Sequence, residues 1–233
     1  MIHNIDPVIF SIGPLAVRYY GLIYISGFII GYYFLSWAMK KGKLPGLEKK
    51  DLDDFIFYSI ICVVTGARLF EVIFYEPSYY IKNPLNIFAV WEGGLSFHGG
   101  IFGVLVASWI FCRKKKISLL KWGDMLTFPA ALALFLGRIA NFINGELFGK
   151  AVDNQVNPPW YAVKFIRTDS AQLWRIPTQI LESFKNLLIF ILLWIIWKKA
   201  KKLKDGFLIW FFCIFYGFFR FFIEIFKDLY QDQ

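Results

Sequence analysis

Residues 177–204 read PTQILESFKNLLIFILLWIIWKKAKKLK. Up to Trp197 this stretch carries only two charged side chains, Glu182 and Lys185, and its second half is unbroken Leu, Ile, Phe and Trp. At ~1.5 Å per residue such a helix is about as long as the ~30 Å hydrocarbon core of a bilayer. A basic run follows at once: Lys198, Lys199, Lys201, Lys202 and Lys204. An apolar helix that ends in clustered lysines reads as a membrane span whose end faces the cytoplasm.

The same pattern recurs along the chain. Apolar stretches at residues 15–39, 55–75, 95–112, 125–142, 177–197 and 206–226 predict about six spans. The fold expected is therefore all-α: a polytopic transmembrane helix bundle in one integral membrane domain, residues 1–233. Composition agrees, since 58% of the 233 residues are hydrophobic and 21% aromatic, more than a soluble core of this size can hide. The net charge of +9 does not point to nucleic acid. Its largest groups are Lys40, Lys41, Lys43, Lys49 and Lys50, then Arg113, Lys114, Lys115, Lys116 and Lys121, then the run after Trp197. Each lies between apolar stretches, as short cytoplasmic loops do. Alternation then puts both termini and the loops near 76–86 and 144–176 on the outer face. The 144–176 segment is the one sizeable external piece. The N-terminal residues have no basic region and no small-residue cleavage site, so the first apolar stretch is expected to stay in place. Cys62, Cys112 and Cys213 all lie in apolar stretches without CxxC pairing, which suits buried, inert thiols. With His3 and His98 they form no metal-ligand constellation, and neither a metal nor another cofactor is expected.

Charged side chains inside a span cost at least ~2.5–3.5 kcal/mol each at the helix centre, so each needs a reason. They are Arg18, Arg68, Glu71, His98, Arg138, Glu182, Lys185, Arg220 and Glu224. Arg68 with Glu71 and Arg220 with Glu224 have the spacing for pairing along one helix face, and Lys185 can pair with Glu182. Arg138 has no acid within four residues, which leaves an anion such as phosphate, for which guanidinium is the better fork. Tyr20 and His98 open spans entering from outside. Arg138 and Arg220 lie ~25 and ~21 Å from the inner ends of theirs. All four are expected at one level in the outer half of the membrane. The glycines around His98 suit a ligand cavity, and a near-neutral imidazole suits a proton acceptor. The densest polar run is 137–149, GRIANFINGELFG, with Arg138, Asn141, Asn144 and Glu146 at the exit of a span.

Residues 137–149 resemble the signature G-R-x-[GA]-N-F-x-N-x-E-x-x-G of the prolipoprotein diacylglyceryl transferases, with every fixed position present. Trp91 to Gly100 resembles that family's histidine segment, and Arg18-Tyr19-Tyr20-Gly21 its first-helix motif. Residues 216–224, YGFFRFFIE, resemble its late Y-G-x-x-R-F-x-x-E block, and Asp6-Pro7 its N-terminal entry. Two departures stand out. The family carries a further helix after the Y-G-x-x-R block, and Ile176 and Leu181 replace the His and Tyr of its H-P-[ST]-Q-L-Y-E run.

The resemblance implies a bacterial inner-membrane enzyme whose partners are phosphatidylglycerol and the lipobox cysteine of a prolipoprotein signal peptide. It would form a thioether and release glycerol 1-phosphate. The resemblance implies catalytic roles for Tyr20, His98, Arg138, Asn141, Glu146 and Arg220. It places Arg138, Gly149 and Tyr216 at the lipid, and Glu224 is added there as the acid closing the late block. His98 is the candidate base, although the thiol proton could also pass to the departing phosphate. Glu146 suits orientation of an arginine or of glycerol hydroxyls better than base catalysis. Two other readings stand beside this one: a shortened paralogue that binds phospholipid or lipoprotein without turnover, and a lipid or ion carrier. The carrier lacks support, because the chain shows no pair of matching broken helices.

Overall fold

The computed structural model describes residues 1–12, 15–200 and 202–228. The long helices are α1 (Tyr19–Lys40), α2 (Lys49–Phe70, continued by a π-helical turn, Glu71–Tyr75), α4 (Phe97–Lys115), α5 (Leu119–Asn144), α6 (Thr178–Lys199) and α7 (Phe207–Glu224), with a short α3 (Pro77–Lys82). Each of the six expected stretches contains one of these helices, but the first begins only at Tyr19, so Arg18, expected inside a span, lies in a short strand before it. Among the described residues, five of the helices are long and apolar enough to cross a membrane, and large apolar side chains on them lie exposed, as lipid-facing surface requires. The exception is α4, where His98 and the basic end Arg113-Lys114-Lys115 dilute the apolar run. The chain is an all-α polytopic membrane protein with little strand.

The fold clusters into two compact units, Met1–Phe34 with Asp124–Gln233, and Leu35–Gly123. In the first unit, α1 lies close against α5. Gly27 faces Ala133 at 3.4 Å and Gly31 faces the Pro129 side chain at 3.5 Å, each measured from where a Cβ would stand. Phe34, Phe128, Trp194 and Trp197 form an aromatic cluster around a fully buried Phe128. Asp124 on α5 accepts the backbone N–H groups of Gly206 (2.8 Å) and Ile209 (2.9 Å), so it caps α7 from another helix. That cap fixes where α7 starts and hence which of its side chains face α6.

The external segment of this unit folds as a small sheet. β1 (Ile2–His3) pairs in parallel with β4 (Val163–Phe165), and β4 pairs antiparallel with β5 (Trp174–Arg175). A separate hairpin joins β2 (Val8–Ile12) and β3 (Leu15–Arg18). Phe148, Val163 and Phe165 make a core beneath the sheet, with His3 edge-on to Phe142 at 5.1 Å. Arg175 grips both oxygens of Asp169 (2.6 and 3.0 Å), reaches Asp228 (2.6 Å) and lies over the Phe148 ring. These contacts tie the segment to the chain leaving α7.

In the second unit, α2 and α4 touch backbone to backbone. A Cβ on Gly99 would stand 2.8 Å from Ala67 Cα, and one on Gly103 2.9 Å from Val63 Cα. The glycines expected to open a cavity at His98 therefore serve, at Gly99, close helix packing of the kind small residues allow in membranes. Arg68 also differs from expectation. It is 5% exposed, and its five N–H donors go to backbone carbonyls rather than to Glu71. They reach Ile87 (3.0 Å), Gly93 (2.7 Å), Gly94 (2.9 Å), Ala89 (3.2 Å) and Asn86. It is the pin on which the loop between α3 and α4 is wound.

Candidate active site

The polar residues of α5, α6 and α7 meet around one carboxylate. Glu182 on α6 is 0% exposed and faces four cations. Its Oε2 takes Lys185 Nζ at 2.6 Å and lies 3.9 Å from Arg138 Nε. Its Oε1 takes Arg220 Nη1 and lies 3.9 Å from Lys227 Nζ. Arg220 also donates to Glu224 at 2.8 Å, one turn further along α7. The expected pairs Glu182–Lys185 and Arg220–Glu224 are therefore present. The expectation that Arg138 has only a ligand for a partner needs correction. Spacing along its own helix could not show an acid presented by α6.

Arg138 leads into a second chain of contacts. Its Nη1 is 3.5 Å from Asn141 Oδ1, one turn away on α5. Asn141 donates to Glu146 Oε1 at 2.7 Å, and Asn144 donates to the same oxygen at 3.3 Å. Glu146 sits in a turn with Gly145 (φ 70°) and Leu147 (φ 56°) in left-handed conformations. Such a turn needs outside support. Three successive carbonyls receive it: Gly145 from Thr168 Oγ1 (2.6 Å), Glu146 from Gln179 Nε2 (2.7 Å), Leu147 from Thr178 Oγ1 (3.0 Å). Gly149 ends the turn by donating to Ile176 O at 2.8 Å, where a Cβ would meet Thr178 Cγ2 at 2.6 Å. Here the glycine is a spatial requirement.

Among the expected site residues, Arg138, Asn141, Glu146, Gly149, Tyr216, Arg220 and Glu224 all lie in the first unit. Tyr216 carries Lys185 Nζ 3.7 Å from its ring centroid. His98 belongs to the second unit, where it is exposed and its Nδ1 is 2.9 Å from the Tyr75 hydroxyl. Tyr20 opens α1, and its side chain lies outside the described residues. Two participants were missed in the sequence. Glu182 was read only as a partner for Lys185, and Lys227 was not singled out. The spacing 220, 224, 227 follows one helical face and could have flagged Lys227. Burial, with Arg220 and Arg138 nearby, holds its ammonium below the usual lysine range.

Residues 7–231 match the family described as prolipoprotein diacylglyceryl transferase. The chain belongs to that family. It is 43% identical over 227 residues to the phosphatidylglycerol–prolipoprotein diacylglyceryl transferase of Rickettsia felis, covering 97% of this chain and 85% of the relative. The enzyme of the same name from Rickettsia conorii is 42% identical with the same coverage. That from Rickettsia bellii is 39% identical, covering 97% and 83%.

Chemically, the site of this transferase-family chain is a cluster of charged side chains with positive charge in excess. Around Glu182 and Glu224 stand Arg138, Lys185, Arg220 and Lys227, four cations to two carboxylates. With Glu146 counted through Asn141, the balance is still positive. Among the described residues no group of three or more His, Cys, Asp and Glu could hold a metal ion. An arrangement of fixed guanidinium groups with surplus charge stabilises an oxyanion that gains charge.

Proposed function

We propose that this chain transfers the diacylglyceryl group of phosphatidylglycerol to the lipobox cysteine of prolipoproteins. The observation that carries the reading is the pairing of Arg138 and Arg220 at one buried Glu182, with positive charge in excess. The relatives' names supply the substrates. The cysteine sulfur attacks the glycerol carbon esterified to phosphate; a C–S bond forms, the C–O bond breaks, and glycerol 1-phosphate leaves with the bonding pair. Arg138 and Arg220 hold the phosphodiester and stabilise the charge that grows on the departing oxygen. Lys227 adds a third cation on the same face.

Asn141 aligns Arg138 and Glu146, and Glu146 and Tyr216 offer hydrogen bonds to the glycerol head. Glu224 fixes the Arg220 fork. Gly149 lets the chain approach α6 closely enough to place this turn. A thiol of pKa near ~8.5 is mostly protonated at neutral pH, and His98 is assigned its removal, with Tyr20 at the head group. On this reading the protein sits in the bacterial inner membrane, and the short basic loops, read as cytoplasmic, support a site toward the outer face.

The test is direct. Purified protein, phosphatidylglycerol and a lipobox peptide are incubated, and the peptide mass and released glycerol phosphate are measured. One diacylglyceryl per cysteine is expected, and none on a peptide with serine at that position. Lipid binding with no change in peptide mass would overturn the reading.

A further inference from the structure

Lys185 plays no part in the grip on phosphate just described, yet it is a charged side chain 4% exposed inside a membrane helix. Burying an ion pair brings little net stability, since desolvation of both ions offsets their attraction. A reason beyond stability is needed for an ammonium at this place.

We infer that Lys185 is a positioning residue that cancels the charge of Glu182, leaving the positive charge of Arg138 and Arg220 available to the lipid phosphate. The inference rests on the transferase reading above and deepens it. Glu182 has two consequences. Its oxygens hold Arg220 and face Arg138, which sets the guanidinium groups before substrate arrives. Its negative charge also competes with phosphate for the same two arginines. Lys185 Nζ, 2.6 Å from Oε2, answers that charge from the side of one oxygen and leaves Oε1 to Arg220. The ammonium is held there by the face of the Tyr216 ring at 3.7 Å. Without Lys185 the same carboxylates would stand against three cations instead of four, and the surplus that meets a phosphodiester would halve.

Lys185→Met isolates the charge. Methionine keeps a long apolar stem and a favourable contact with the Tyr216 ring, and Glu182 retains Arg220, so the fold keeps its anchor. With the lipobox peptide saturating, Lys185→Met is expected to raise KM for phosphatidylglycerol about fivefold while kcat stays within about twofold. Lys185→Arg, which keeps the charge, holds KM near the unmodified value. The double variant Glu182→Gln with Lys185→Met removes both charges and brings KM back down, with kcat lowered because a neutral amide holds Arg220 more weakly. The Kd for phosphatidylglycerol in nanodiscs, measured without peptide, follows the same order. Unchanged KM and Kd in Lys185→Met would overturn the inference, as would Lys185→Arg failing as badly as methionine. If the unmodified chain transferred nothing, the transferase reading would fall, and the Kd series would still decide the role of Lys185.

Discussion

Arg68 and Arg138 are both arginines within membrane helices, and they differ in what their donors meet. Arg68 directs all five N–H groups to backbone carbonyls at residues 86–94. Among the described residues, Arg138 meets only Asn141 at 3.5 Å and Glu182 at 3.9 Å, both at the outer limit of useful contact. The first is saturated by the fold. The second is aimed and left with donors to give. A charge in a span is therefore informative only once its partners are counted: saturation marks a structural pin, and under-saturation beside surplus charge marks a ligand site.

The largest expected effect breaks the structural side of that comparison. Arg68→Met leaves five carbonyls without their donor, those of Asn86, Ile87 and Ala89 on buried or half-buried residues, and is expected to cost about 3–5 kcal/mol of stability. Thermal unfolding in detergent would show it as a lowered midpoint, with little change in KM for the folded fraction. An unchanged midpoint would mean that Arg68 is not a pin. Arg138→Lys tests the other side. It is expected to leave the midpoint nearly unchanged and to lower kcat/KM at least about a hundredfold, because a point charge cannot form the fork on phosphate.

Much of this was legible in the sequence. The helices were, because length, apolar content and basic ends are local properties, and so were the pairs Lys185–Glu182 and Arg220–Glu224, which follow from spacing on one helix. What spacing cannot show is a partner on another helix or in a loop. Arg68 and Glu71 are three residues apart, which suggested a pair, but the loop at 86–94 folds back and takes every donor. Arg138 looked isolated for the same reason. The glycines near His98 were read as room for a ligand, whereas Gly99 is filled by the α2 backbone. The clasp on residues 145–147 was hidden because its donors come from residues 168, 178 and 179.

That clasp gives a smaller, sharper test of aiming. Gln179→Ala removes the donor to Glu146 O, and kcat is expected to fall about tenfold with KM little changed, since the turn that carries Glu146 loosens. Equal loss in KM alone would assign Gln179 to binding instead. The smallest effect concerns the external sheet that bears Thr168. Burial holds the His3 imidazole below its ordinary pKa, so the unfolded chain takes up a proton that the folded chain refuses. Stability contributed by neutral His3 is then complete above about pH 6.5 and falls as pH drops below it, by no more than about 1.4 kcal/mol per unit. The unfolding midpoint of His3→Phe should decline less between pH 7.5 and 5.5 than that of the unmodified chain.

The central claim is that Arg138 and Arg220, set by Glu182, grip the phosphodiester of phosphatidylglycerol. Equilibrium binding in nanodiscs, without peptide, addresses it without relying on turnover. Phosphatidylglycerol is compared with diacylglycerol, which has the same chains and no phosphate. The unmodified chain is expected to prefer phosphatidylglycerol, and Arg138→Lys to lose at least about tenfold in that affinity with diacylglycerol binding unchanged. Equal affinity for the two lipids, or an Arg138→Lys variant that binds phosphatidylglycerol as tightly as before, would contradict the account.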